Sequence, residues 1–165
     1  GGRGWWNGLA AADFNRDGRI DFAVGNLGLN TTYHASPDAP ATLFYGDFAG
    51  KGVNQLAEAV YDAGVLYPVR GRNDIGTMLP SVLRAFPLND AFAKASMAEV
   101  YGEQALAAAT KREADNFRSG VFLSQPDGRY RFAPLPDEAQ VGPIIGLVAA
   151  DIDGDGAVTG KRFAQ

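Results

Sequence analysis

The sequence predicts a mainly β fold of short strands and tight turns, interrupted by a short helical insertion. Of the 165 residues, 21 are glycine and 9 are proline, a composition that suits many turns. Residues 20–24 alternate large apolar side chains with small or polar ones, which is the period-two pattern of a strand. Residues 121–132 resemble a hairpin with a turn at Asp127-Gly128.

The first predicted element is a buried strand over residues 8–12, which are small and apolar. It leads into the pattern D-x-N-x-D-G-x-x-D, in which Gly18 at position 6 permits a sharp turn. Position 7 is Arg19, which we expect to contribute its backbone carbonyl. Oxygen-bearing side chains fall at positions 1, 3, 5 and 9: Asp13, Asn15, Asp17 and Asp21.

This spacing predicts a calcium loop, because Ca²⁺ takes six to eight oxygen ligands from short side chains on a tight loop. The alternative is an ordinary turn rich in Asp and Asn that binds no metal. We favour calcium, because three carboxylates around one glycine turn repel each other unless a cation lies between them. An EF-hand is excluded: Val24 stands at position 12, and the flanks are strand-like. A calcium-triggered switch would need helical flanks, so we predict a strand–loop–strand hairpin.

An apolar run that ends in an aspartate and a large apolar residue recurs at residues 8–14, 43–48 and 146–152. The third copy continues with carboxylates at positions 1, 3 and 5, but Thr159 at position 9 is a weaker ligand. The second copy keeps only Asp47, and Lys51 at position 5 would repel a cation. We therefore predict a second, weaker calcium site and an empty middle loop. The ligands of the second site are Asp151, Asp153 and Asp155.

The pattern D-F-N-x-D-G-x-x-D-F-A-V-G-N resembles the calcium-binding FG-GAP/VCBS-type repeats of integrin-like β-propellers. The chain is more closely similar to secreted bacterial proteins that carry such repeats beside an ASPIC-type domain, relatives of cartilage acidic protein. Other segments that carry the resemblance are residues 4–15, 25–30, 72–74, 121–132 and 135–140. Beyond Gly156 the chain departs from the family pattern, which would place an aspartate where Thr159 stands.

The resemblance implies β-propeller-type blades, structural Ca²⁺ and a secreted or cell-surface location. A blade takes about 40–50 residues and closure takes about four blades. Without the helical insertion, the chain accounts for a partial propeller of two to three blades. We expect a fragment of a longer propeller or, second, self-association through open blade edges, since unpaired strand edges invite pairing. The third alternative is another compact β fold.

The helical insertion covers residues 73–116 and separates a first repeat region, residues 1–72, from a further one, residues 117–165. Helical spacing of apolar residues covers 74–86, with a start or kink near Pro80. Ser96 and Glu99 have the form of a capping box, and residues 104–113 favour helix because they are rich in alanine. The insertion is either a decoration packed on the rim or an element that docks a partner.

Composition disfavours several classes of function. A net charge of −4 disfavours nucleic-acid binding, and the absence of cysteine excludes disulfides and thiolate metal sites. No apolar run is long enough to span a membrane. His34 is the only histidine, and no convincing acid–base pair or nucleophile motif accompanies it.

We therefore expect a non-enzymatic calcium-binding protein that acts in adhesion, self-assembly or scaffolding. Its partner would be another protein or further copies of itself, with carbohydrate as a possible ligand. Trp5 and Trp6 suit core packing, or alternatively an exposed aromatic pair for carbohydrate or partner contact. The competing hypothesis is the propeller scaffold of an enzyme that acts on polysaccharide.

Overall fold

The structure is a computed structural model that describes residues 2–151 and 158–163. The strands are β1 (Gly8–Ala12), β2 (Asp21–Gly25), β3 (Ala41–Gly46), β4 (Gln55–Asp62), β5 (Val65–Pro68), β6 (Thr110–Ala114), β7 (Gly120–Ser124), β8 (Tyr130–Pro134), β9 (Gly146–Ala150) and β10 (Thr159–Phe163). The helices are α1 (Arg72–Met78), α2 (Pro80–Ala85), α3 (Asn89–Ala93), α4 (Met97–Tyr101) and α5 (Glu103–Ala108), with a short 3₁₀ helix at Asp137–Gln140.

Two compact units divide the chain. One is formed by residues 1–32 together with residues 116–165, and the other by residues 33–115. The boundaries predicted from the sequence, 1–72, 73–116 and 117–165, describe repeats and an insertion, and they remain a prediction.

The first unit is built on a four-stranded antiparallel sheet with the order β1-β2-β7-β8. β9 and β10 form a two-stranded antiparallel sheet, and β9 packs against β1 and β2. An aromatic cluster covers the main sheet, with ring centroids 5.7 Å apart for Trp6 and Phe122 and 5.0 Å apart for Phe122 and Phe132. The predicted hairpin around Asp127-Gly128 is confirmed as β7–β8, in which Gly128 has a φ of 77°.

A buried polar network links the two chain segments that form the first unit, residues 1–32 and residues 116–165. The Asn26 side chain accepts the backbone N–H of Trp5 at 3.0 Å and donates to the carbonyl of Asn116 at 2.8 Å. The backbone N–H of Asn26 donates to the Ser119 hydroxyl at 2.9 Å, and the Ser119 N–H donates to the Gln140 side chain, also at 2.9 Å. Because buried polar groups are costly unless paired, this network helps to fix how β2 meets the returning chain.

The second unit packs the helices onto an antiparallel sheet with the order β5-β4-β3-β6. Phe44 on β3 and Ala57 and Ala59 on β4 are buried, and the two alanines are fully inaccessible. Their core partners from the helices and from the α1–α2 junction are Ile75, Leu79, Val82, Phe92, Met97, Val100 and Tyr101. Burial of these apolar side chains is the main stabilising contribution in this unit.

The helix boundaries match the local signals up to residue 108. Pro80 begins α2, and Ser96 caps α4 in a capping box in which its hydroxyl accepts the Glu99 N–H and the Glu99 carboxylate accepts the Ser96 N–H. The prediction of helix to residue 113 is wrong, because α5 ends at Ala108 and β6 follows. Pairing of β6 with β3 overrides the helix propensity of the alanine-rich segment.

The fold class is confirmed at the level of a mainly β protein with two four-stranded antiparallel sheets and short helices. Within residues 2–151 and 158–163, the strand order of each sheet is open and does not close into a barrel. The organisation into propeller blades therefore stays a proposal.

Candidate functional site

The predicted calcium loop joins β1 to β2. Ala12 pairs with Asp21 across the hairpin, so residues 13–20 form the loop, and the strand–loop–strand arrangement is confirmed. The prediction that the first strand is buried is wrong, because residues of β1 are exposed or half-buried and Leu9 is 65 % exposed. Arg16 and Gly18 have φ values of 60° and 80°, which lie in the left-handed region. Glycine adopts this conformation without steric cost, which accounts for Gly18 at the sharp turn.

Asp13 holds the first half of the loop. Its carboxylate accepts the backbone N–H of Gly18 at 2.8 Å and that of Asp17 at 3.1 Å. The N–H group of Gly18, supported by those of its loop neighbours, lowers the pKa of Asp13 below its ordinary value of 3.8. Asp13 therefore remains ionised at neutral pH and binds the turn through charge-assisted hydrogen bonds.

Asp21 is fully buried and ties the loop to the sheet. One carboxylate oxygen accepts the N–H of Phe14 at 3.1 Å, and the other accepts the N–H of Ser124, on β7, at 2.8 Å. Ile20, just before β2, is 55 % exposed, whereas Asp21, Ala23 and Val24 are buried.

Asn15, Asp17 and Arg19 form the outer side of the loop. The Asn15 amide donates to Asp17 Oδ2 at 2.8 Å, while the Asn15 carbonyl oxygen accepts the Asp17 N–H at 3.2 Å. The Arg19 N–H donates to Asp17 Oδ1 at 2.9 Å, and the Arg19 guanidinium lies 2.5 Å from Asp17 Oδ2. Arg19 Nε is buried without a hydrogen-bond partner.

The donor set suits a hard cation, because it combines three carboxylates, one amide oxygen and the Arg19 carbonyl on a single loop. In the part of the chain that is described, however, three or more His, Cys, Asp or Glu side chains do not converge on one point. Asp21 accepts two backbone N–H groups, and Asp17 is paired with Arg19. A carboxylate has about four lone-pair sites, so these contacts leave acceptor capacity for a cation.

The loop between β3 and β4 has the same hydrogen-bond pattern without the same ligands. Asp47 accepts the N–H groups of Lys51 at 3.1 Å and Gly52 at 2.6 Å, as Asp13 accepts those of Asp17 and Gly18. The Phe48 N–H donates to Gln55 at 2.9 Å, as Phe14 does to Asp21. The Gly52 N–H, followed by that of Lys51, lowers the pKa of Asp47.

This comparison separates the positions that shape the loop from those that a cation would need. Positions 1 and 9 accept the same backbone N–H groups within both loops, although position 9 is Asp21 in one and Gln55 in the other. Positions 3 and 5 differ, since Ala49 and Lys51 replace Asn15 and Asp17. The backbone pattern therefore forms without oxygen ligands at positions 3 and 5.

The third loop, which carries the second predicted site, joins β9 to β10. Ala150 pairs with Thr159, which is the same register as in the other two hairpins. Asp151 is exposed, whereas Asp153 and Asp155 lie outside the described residues. The second predicted calcium site stays a prediction.

The two tryptophans and the histidine that the sequence singled out differ in how far they are buried. Trp6 packs on the aromatic cluster of the first unit, as its packing interpretation predicted. Trp5 is 44 % exposed and contacts Phe117 with ring centroids 6.4 Å apart. His34 is exposed.

A polar cluster in the second unit was not found by sequence reasoning. Arg70 Nε lies 3.4 Å from the carboxylate of Glu58, and the Tyr33 hydroxyl interacts with the same carboxylate. Burial raises the pKa of Tyr101 to about 12, with Arg70 and Glu58 as its charged neighbours. Burial, together with the charge of Glu58, also raises the pKa of Tyr33. Both phenols stay protonated at neutral pH, and no sequence motif links these distant positions.

Comparisons with protein-family models, curated proteins and solved structures find no match to this chain. None of the helices in the described part of the chain is long and apolar enough to cross a membrane. The functional argument therefore rests on the residues and geometry of the loops.

Proposed function

We propose that this chain is a calcium-binding, β-propeller-type repeat segment of a secreted or surface protein, with Ca²⁺ in a structural role. The observation that carries the proposal is the contrast between two loops with one backbone pattern. The β1–β2 loop adds Asn15 and Asp17 at positions 3 and 5, where the β3–β4 loop has Ala49 and Lys51. Oxygen ligands at positions the backbone pattern does not require point to a bound cation.

The proposed ligands are the side chains of Asp13, Asn15, Asp17 and Asp21 and the backbone carbonyl of Arg19. Bound calcium would neutralise the clustered carboxylates and stiffen the β1–β2 hairpin. Asp21 already joins this loop to β7, so stiffening would extend into the sheet. A weaker second site would use Asp151, Asp153 and Asp155 in the loop after β9.

The proposed role is adhesion, self-assembly or scaffolding. Among the strands that the structure describes, the outer strands of each four-stranded sheet have a sheet neighbour on one side only: β1 and β8 in the first unit, β5 and β6 in the second. Such edges can pair with another protein or with a second copy of the chain. Calcium that fixes the hairpin geometry would favour pairing in one register.

Calcium titration calorimetry of the parent chain and Asp17→Ala tests the site. We expect the parent to bind calcium, and we expect Asp17→Ala to bind at least about tenfold more weakly, because it loses a charged ligand. Asp90→Ala is the matched control: it removes a carboxylate that is exposed on α3 and paired with Lys94. Equal affinity of Asp17→Ala and Asp90→Ala for calcium would contradict the proposed site.

A further inference from the structure

The Asp17 carboxylate is occupied on both oxygens by a single residue. The Arg19 backbone N–H donates to Oδ1 at 2.9 Å, and the Arg19 guanidinium lies 2.5 Å from Oδ2. The Asn15 amide also donates to Oδ2, at 2.8 Å. Both oxygens of Asp17 therefore interact with donor groups of its own loop.

The guanidinium is incompletely paired in this position. Arg19 Nε is buried and has no hydrogen-bond partner, although Nη2 of the same side chain contacts Asp17. A buried N–H donor without an acceptor is unfavourable. The Arg19 side chain is therefore held by its charge interaction with Asp17, while its Nε–H donor is left unsatisfied. Because this pairing is incomplete, a cation that binds Asp17 can displace the guanidinium.

We propose that the Arg19 side chain is an internal counter-cation that competes with Ca²⁺ for Asp17 and so sets the calcium affinity of this loop. This inference rests on the proposed calcium function. The guanidinium contacts Asp17 and neutralises its charge. When calcium binds, repulsion between the two cations drives the guanidinium out, while the Arg19 backbone carbonyl remains as a ligand.

The competition makes the loop a site of moderate affinity that responds to ionic conditions. Part of the calcium binding free energy is used to break the Arg19–Asp17 pair, so the apparent dissociation constant is raised by the stability of that pair. The side chains of the pair are partly exposed, at 38 % for Arg19 and 23 % for Asp17, so added salt weakens it by screening.

The test compares Arg19→Gln with Arg129→Gln by calcium titration calorimetry. Both substitutions remove one positive charge, but Arg129 lies beside the β7–β8 turn and pairs with Asp127, whereas Arg19 contacts Asp17. We expect Arg19→Gln to bind calcium roughly twofold to fivefold more tightly than the parent, and Arg129→Gln to show a much smaller change. Equal tightening in both variants would overturn the proposal, because general loss of positive charge would then explain it.

Melting scans provide a second readout. In chelator, Arg19→Gln should melt below the parent because Asp17 loses its partner, and in excess calcium this difference should shrink or reverse. A calcium-independent difference would overturn the counter-cation role. If neither chain binds calcium, the proposed function and this inference both fail. If both bind with equal affinity, only the counter-cation role fails.

Discussion

At the scale of single residues, the acidic side chains of the first loop divide into two roles. Asp13 and Asp21 accept backbone N–H groups and shape the hairpin, and Asp21 does so while fully buried. Asn15 and Asp17 lie toward the outer side and interact with each other and with Arg19. Spacing alone treats all four as equivalent ligands, because it does not show which carboxylates already have partners.

The partners of Asp21 and Arg19 could not be read from the sequence. Ser124 is 103 residues from Asp21, and its backbone N–H reaches the carboxylate only because β7 pairs with β2. The spacing assigned Arg19 only a backbone carbonyl, and the contact of its guanidinium with Asp17 is seen in the structure alone. Both contacts depend on tertiary structure or side-chain conformation, which local patterns do not encode.

Glu99 gives a prediction for pH dependence. The Ser96 backbone N–H, followed by the Ser96 hydroxyl, lowers the pKa of Glu99 below its ordinary value of 4.5. A lowered pKa means that the ionised carboxylate contributes stability above pH 4.5, and this contribution is lost as pH falls through the folded-state pKa. Comparison of the unfolding free energies of the parent and Glu99→Gln should show an advantage for the parent at pH 7 that disappears in acid. A difference independent of pH would contradict this account of the capping box.

At the scale of elements, the sequence predicted those hairpins and helix ends that depend on residues close together in the chain. The β1–β2 hairpin, the β7–β8 hairpin, the α2 start at Pro80 and the capping box at Ser96 all appear where the sequence placed them. The sequence did not predict β6, because the alanine-rich segment over residues 104–113 favours helix. The strand forms by pairing with β3.

The two comparable loops allow a gain-of-function prediction. Placing Asn and Asp at positions 3 and 5 of the β3–β4 loop, through Ala49→Asn with Lys51→Asp, should create a calcium site, because the backbone pattern of that loop is already present. We expect calcium titration to show one additional bound ion, weaker than the first because position 9 is the neutral Gln55. Ala49→Asn alone, which keeps Lys51, serves as the control. An unchanged stoichiometry in a folded double variant would show that positions 3 and 5 are not sufficient.

At the scale of the whole molecule, the sequence predicted a mainly β protein, and the two four-stranded sheets confirm it. The division into units could not be predicted, because the polar network that joins Asn26 to Ser119 and Gln140 spans most of the chain. Blade organisation, calcium binding and assembly remain proposals.

Assembly through strand edges predicts a mass that depends on calcium. Light scattering during gel filtration should give a larger mass in calcium than in chelator, because calcium would order the hairpins whose sheets present the open edges. Asp17→Ala should keep the smaller mass in both conditions. A parent chain of the same mass with and without calcium would leave no support for calcium-dependent self-assembly, and a partner of different composition would have to be sought.

The central claim is that calcium in the first loop stabilises the fold, and a thermal unfolding scan tests it most directly. The parent chain is melted with free calcium at about one hundred times the dissociation constant and again with chelator, beside Asp17→Ala. Binding to the folded state alone contributes about 2.7 kcal/mol under these conditions. We therefore expect the parent to melt about 5–10 °C higher in calcium, and Asp17→Ala to respond far less. A parent chain that melts at the same temperature in calcium and in chelator would contradict the claim.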